Sequence, residues 1–155
     1  AMISGMTEGN DRASDRVSAV RDCLETACLL SSDLNLIEAE YSLNSGAESL
    51  SKLWELHPRP TAIICGNGVL AAGAVNRALE MGLRVPEDIS ITGYDDIELA
   101  TVVRPKLTTV HVPHRRMGKT AAQKLLEMKN GNSTVVSKKL TAEIVVRETL
   151  GTPVS

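Results

Sequence analysis

Hydrophobic positions along this chain change their spacing in a regular order that reads as strands alternating with helices. Met2-Ile3-Ser4-Gly5 is a short apolar run ended by glycine, and after a polar loop Val17, Val20, Leu24 and Ala27 recur at helical spacing. Leu34 to Ala39 reads as a second strand. Ala47, Leu50, Leu53 and Trp54 mark a helix that stops before Pro58, because a proline ring disfavours helical backbone in the residue preceding it. Thr61 to Cys65 has the continuous apolar character of a buried parallel strand, and Gly68 to Met81 is a small-residue helix closed by Gly82. Ile89 to Tyr94 gives a fourth strand. Strands and helices in strict alternation, joined by short loops, predict an α/β fold: a parallel sheet with right-handed crossovers and helices on both faces.

The pattern changes after Pro105. Leu107 to Val110 is a short strand, Arg115 to Met128 an amphipathic helix, and Leu140 to Arg147 alternates as an exposed or edge strand. Asn130-Gly131-Asn132-Ser133 has the composition of a turn, and the chain from Thr149 onward is expected to be a loose tail. No internal repeat or low-complexity tract is present.

With 155 residues, 43% hydrophobic and 23% charged, the chain is long enough for one domain with a real core. Its net charge of -2 leaves no cationic excess to neutralise phosphates, so this piece is not expected to bind DNA by itself. Cys23, Cys28 and Cys65 form neither an even disulfide set nor a C-x-x-C pair, which fits a reducing cytoplasm. No run of eighteen apolar residues offers a membrane span, and Ala1 to Gly5 lacks the character of a signal peptide. Aromatic residues make up 2% with no Phe, so the core must rest on Leu, Ile, Val and Ala.

Catalytic readings find little support. Gly66-Asn67-Gly68-Val69-Leu70-Ala71 fits G-x-G-x-x-[GA] between a strand and a helix, but a dinucleotide site also needs an acidic residue ending the next strand. Glu87 and Asp88 precede that strand, and Asp95 lies too far along. His111 and His114 have no third ligand at metal-site spacing and read as loop histidines. No phosphate-binding loop and no G-x-S-x-G is present. Neither an enzyme nor a cofactor or metal site is expected.

Several motifs follow one another in a recognisable order: Ile3-Ser4-Gly5 with Asn10-Asp11-Arg12 and Arg16; Arg59 to Asn67; Leu70 to Ala74; Gly82-Leu83-Arg84-Val85-Pro86-Glu87-Asp88-Ile89-Ser90-Ile91-Thr92-Gly93-Tyr94-Asp95-Asp96; and Pro105-x-Leu107-Thr108-Thr109-Val110 followed by Gly118. Over nearly the whole chain the sequence resembles the effector-binding domain of LacI/GalR-type transcription regulators. The resemblance implies a type I periplasmic-binding-protein-like fold, with about one lobe plus a crossover segment. Residues 1–110 would form the C-terminal lobe, 111–139 a crossover whose helix belongs to the other lobe, 140–148 a returning strand and 149–155 the tail.

The same likeness implies a cytoplasmic dimer that senses a small effector, a sugar or a purine-like molecule, to control DNA binding. The DNA-binding headpiece, through which alone DNA would be contacted, is expected to be absent from this chain. A sugar-binding protein of a transporter is the alternative within the fold, but Val85 to Ser90 joined to Gly93 to Asp96 is the regulator's pattern.

In open parallel sheets ligands bind beyond the carboxyl ends of the strands, which singles out Asn67 after the third strand and Asp95 after the fourth. An amide and a carboxylate there can donate to and accept from ligand hydroxyls. Helix capping by Asn67 and loop bracing by Asp95 are the structural alternatives. The resemblance carries effector contact onto these two, onto the guanidinium of Arg16 and onto Tyr41; Asn10 and Arg12 are candidates for which solvation or capping serves equally well. Trp54 is expected to be structural. Where the family usually places Asp after Asn67, this chain has Gly68, so an acceptor near the pocket is missing.

The helix from Gly68 carries no charge until Arg77 and needs cover beyond its sheet side. The resemblance puts a two-fold dimer contact there, through Ala72, Asn76, Leu43 and Val103. Cover by the first helix or the tail is the alternative. The apolar stripe Met117, Ala121, Leu125 and Met128 also needs burial, either on a neighbouring copy or after displacement of its helix from the family position.

Overall fold

Strands and helices alternate as the sequence predicts in the computed structural model, which describes residues 1–29, 34–130 and 137–152. In chain order the elements are β1 (Met2–Ser4), α1 (Asp11–Thr26), β2 (Leu36–Glu38), α2 (Leu43–Trp54), β3 (Ala62–Cys65), α3 (Gly68–Glu80), β4 (Ser90–Asp95), α4 (Leu99–Val102), β5 (Thr108–His111), α5 (His114–Lys129) and β6 (Glu143–Val145). They build a six-stranded sheet in the order β2-β1-β3-β4-β5-β6. The first five strands run parallel, and β6 pairs antiparallel with β5 at the edge.

Side-chain caps mark where α1, α2 and α3 begin. The Asn10 side chain accepts from the Ala13 amide at 3.2 Å and starts α1 before its first apolar position; Ser42 does the same for α2 by accepting from Ser45 at 3.0 Å. Only the middle of the expected last strand pairs, as β6, and α4 is a short helix with no sequence forecast. The expected turn at 130–133 extends beyond the described residues after Asn130.

One sheet face carries the core. Ile63, Cys65 and Ile91 are buried there against Leu50, Leu53, Leu70 and Val75 of α2 and α3. The two helices pack backbone to backbone, since a Cβ on Gly73 would overlap the Leu43 carbonyl. Trp54 lies half-buried beside this core, with the Arg59 guanidinium 5.0 Å from its ring centroid. On the opposite face α1 buries only Ala13 and Val17. Ala62 and Ile64 of β3 stay exposed there, and a groove of about 500 Å³ runs between α1 and the sheet, past Ile64, Val110 and Ile144.

Two expectations are corrected here. Ala72 and Val103 are 1% and 8% exposed and belong to the core, because α2 and α4, rather than the first helix or the tail, cover that side of α3. Leu43 and Asn76 do remain exposed. The segment from Thr149 is no loose tail: the Thr149 hydroxyl accepts from the Thr108 amide at 2.9 Å, its carbonyl accepts from Ile91, and the Gly151 amide donates to the Ser90 hydroxyl at 3.1 Å. Thr149 is fully buried as a result, while residues 153–155 lie outside the described ones. Among the described residues α5 buries none of its own, so the cover its apolar stripe calls for is not supplied there.

Candidate functional site

Every loop that leaves the carboxyl end of a parallel strand from β1 to β4 sends a side chain toward one cleft of about 530 Å³. Asn10, Arg12 and Arg16 come from the turn after β1 and the start of α1, Tyr41 from the loop after β2, and Asn67 from the end of β3. Asp95 closes β4, and Ile97 and His114 complete the wall. The six residues singled out from sequence are thus brought together. Ile97 and His114 were missed, since an aliphatic residue in a loop and a lone histidine carry no sequence signal of their own.

Capping and cleft lining prove compatible. The Asn67 Oδ1 accepts from the Leu70 amide at 2.8 Å, and Asn10 caps α1 through the same atom type, so each turns an amide oxygen to its helix while its side chain also lines the cleft. The capped amide is no longer open to a phosphate, which removes further support from a dinucleotide reading. Tyr41 is 46% exposed, with its hydroxyl seated where a Cβ on Gly5 would stand. At Gly68 a Cβ would come 3.1 Å from Ile97 Cγ1, so the absence of a side chain at Gly68 leaves room for Ile97 at the cleft wall.

Arg16 is held from two sides. Its Nη1 donates to the Gly66 carbonyl at 3.1 Å, and its guanidinium lies 4.2 Å from the Tyr94 ring centroid, a cation–π distance. The second terminal nitrogen reaches 4.0 Å from Asp95 Oδ1, and His114 Nε2 approaches the same oxygen at 3.9 Å. Both separations exceed a hydrogen bond, so among the described residues the Asp95 carboxylate is flanked by cationic and imidazole groups but not consumed by them. An acceptor poised in this way can take a hydroxyl or N–H of a small polar ligand.

Asp95 and its neighbour Asp96 both adopt positive φ, 85° and 50°. Left-handed backbone costs roughly 1–2 kcal/mol per residue in ordinary L-residues, with Asp among the more tolerant types. Asp96 carries the bracing. Its Oδ1 accepts from Arg147 Nη2 at 2.7 Å, and its Oδ2 lies 3.0 Å from His111 Nδ1. Burial pushes the Asp96 carboxyl up, but the hydrogen bonds to Arg147 and His111 outweigh it, so the group stays below its ordinary value. Neither histidine expected in a loop is there: His111 ends β5 and His114 begins α5. Asp96, His111 and Arg147 were not recognised as a cluster from sequence, since Asp96 and Arg147 are 51 residues apart.

Other chemistry is sparse. The Cys65 thiol is buried and pushed up to about 12 by desolvation, the opposite of an activated nucleophile. Among the described residues there is no group of three His, Cys, Asp or Glu side chains placed to hold a metal, and no helix is long and apolar enough to cross a membrane.

Residues 1–150 match the periplasmic binding protein-like domain family. The HTH-type transcriptional repressor PurR of Vibrio vulnificus is 34% identical over 151 residues, covering 97% of this chain and 45% of that protein. The chain thus spans less than half the length of this curated relative. Among solved structures, a LacI family transcriptional regulator from Mycobacterium smegmatis is 34% identical with a TM-score of 0.85, over 97% of this chain and 56% of that one. The lac repressor dimer, bound to operator and the anti-inducer ONPF, gives 29% identity and a TM-score of 0.86, over 96% of this chain and 44% of that one. The chain belongs to the periplasmic binding protein-like domain family, in the form carried by LacI/GalR-type transcription regulators.

Proposed function

We propose that this chain is the effector-binding and dimerisation part of a LacI/GalR-type transcription regulator, sensing a small polar molecule, a sugar or a purine-like compound, to control DNA binding. The convergence of Asn10, Arg16, Tyr41, Asn67 and Asp95 on one cleft beyond the strand ends carries this reading. The cleft offers an acceptor in Asp95, donors in Arg12 and Arg16, and an aromatic face in Tyr41. Its role is recognition rather than catalysis, and its working compartment the cytoplasm. DNA is contacted through a separate headpiece, not through these residues.

The cleft is one open wall, and a half-covered ligand gains little against the cost of immobilising it, so binding by this chain is weak. Titration of the isotopically labelled chain with D-ribose, D-glucose and hypoxanthine, followed by NMR, tests the site. At least one probe is expected to shift the signals of Asp95, Asn67 and Arg16, and Asp95→Ala to abolish the response. Shifts elsewhere, or shifts indifferent to Asp95→Ala, sink the reading.

For the dimer, the exposed side chains Leu43, Asn76 and Val102 replace the buried Ala72 and Val103 as the contact. Leu43→Arg is expected to leave folding intact and to lower the sedimentation coefficient to that of a monomer. An unchanged dimer would move the contact elsewhere.

A further inference from the structure

We infer that Asp96 is a positioning residue for the cleft, tying the end of β4, which presents Asp95, to the two strands by which the chain leaves and re-enters this sheet. The carboxylate divides its oxygens between two elements: Arg147, just after β6, at 2.7 Å and His111, at the end of β5, at 3.0 Å. Its side chain is 14% exposed and that of Arg147 17%, so the pair is largely withdrawn from solvent.

Arg147 is a fixed anchor. Its Nη1 donates to the Leu107 carbonyl at 2.8 Å and its backbone amide to the Thr108 hydroxyl at 2.9 Å, which leaves the planar fork one direction in which to offer its other nitrogen. Across the strands Asp95 is opposite His111 on β5, and His111 is opposite Glu143 on β6, while Arg147 lies four residues further along the returning chain. The charged groups around the clasp are Asp95 on β4, Glu143 on β6, Arg147 beyond it, and His114, Arg115, Arg116 and Lys119 of α5, which line a cleft shared with Asp95, Asp96 and His111.

Asp95 depends on this clasp because its own carboxylate accepts no hydrogen bond among the described residues. It is held by its backbone, which sits at positive φ together with that of Asp96. Such backbone persists only where the surroundings over-determine it, and the side chain of Asp96 supplies that determination. A ligand that engages Asp95 and shifts the end of β4 accordingly shifts β5 and β6, and any movement of those strands changes the cleft in return.

The inference rests on reading the cleft as the effector site, but the link itself is measured without a ligand. In the labelled 155-residue chain, Asp96→Asn keeps the shape and removes the charge. The Asp95 amide, the Arg16 Nε–H and the Ile144 amide are expected to shift together. Hydrogen exchange across β6 should quicken roughly tenfold, the change expected from losing one charge-assisted hydrogen bond. Ile63, Val75 and Ile91 should stay in place.

Arg147→Lys, which keeps the charge and loses the fork, should give the same pattern at lower amplitude, and the double variant should add little to Asp96→Asn. Arg147→Lys carries the test alone if Asp96→Asn does not fold. Perturbation confined to residues next to position 96, or spread evenly through the core, overturns the inference. A wild-type cleft that takes none of the probes while the link is intact removes the effector reading and leaves the link standing.

Discussion

α3 and α5 are helices of 13 and 16 residues that each follow a strand of the same sheet, yet α3 buries eight of its residues and α5 none. Both looked in need of cover from sequence. For α3 the cover is present, because its run of small residues lets α2 approach to backbone contact at Gly73. For α5 it is not, and Met117, Leu125, Leu126 and Met128 stand 46%, 65%, 61% and 47% exposed. An apolar stripe announces that a helix has something to bury, and only its neighbours decide whether the same chain provides the partner.

Truncation separates the two helices most strongly. Leu70→Ala in α3 is expected to destabilise the chain by about 2–5 kcal/mol in urea unfolding, as for other fully buried leucines. Leu125→Ala in α5 should stay within about 0.5 kcal/mol. Equal losses would mean that α5 is covered in solution, by a second copy for example.

The C-terminal segment belongs on the packed side of this comparison. Thr149→Val leaves the Thr108 amide without its acceptor in a buried place, and about 1–3 kcal/mol is the expected loss, read from the urea midpoint. No change would restore the loose tail. At the mouth of α3, Asn67→Ala removes a cap and should cost about 1 kcal/mol, together with one polar group of the cleft.

The acid limb of stability tests the clasp at Asp96, between the end of β4 and the strands β5 and β6. Asp96 is held below its ordinary value, and Asp88 lies at about 2 through its hydrogen bonds to Arg84. Both contributions are complete above the unfolded carboxylate value of about 4. As pH falls from there toward the folded values, the unfolded chain takes up protons first, so stability declines. Urea midpoints measured down that range should fall, and Asp96→Asn should flatten part of the slope. A wild-type profile that rises on acidification contradicts the assignment.

The fold was legible because its signals are local: Gly82 after a small-residue run, Pro58 after Trp54, the apolar stretch Thr61 to Cys65. The six cleft residues could be named because position at a strand end, together with family likeness, fixes where a side chain sits. What escaped depends on contacts distant in sequence. Ala72 and Val103 looked like surface because nothing local told that α2 and α4 cover them. Thr149 looked loose because its partners, Ile91 and Thr108, are far along the chain. Ile97 could be placed only once Gly68 was seen to leave it room.

The half-buried indole of Trp54 has a practical consequence for optical measurements. Tyr41 lies just before α2 at the cleft, whereas Trp54 ends that helix, and twelve helical residues separate the two ends by about 18 Å. As the chain's single tryptophan, it makes intrinsic emission a report on whether α2 remains docked, and one nearly blind to cleft occupancy. A fluorescence screen for small molecules would return silence even where binding occurs. Excitation of tyrosine in a Trp54→Leu background, where Tyr41 and Tyr94 become the emitters, places the signal beside the ligand instead.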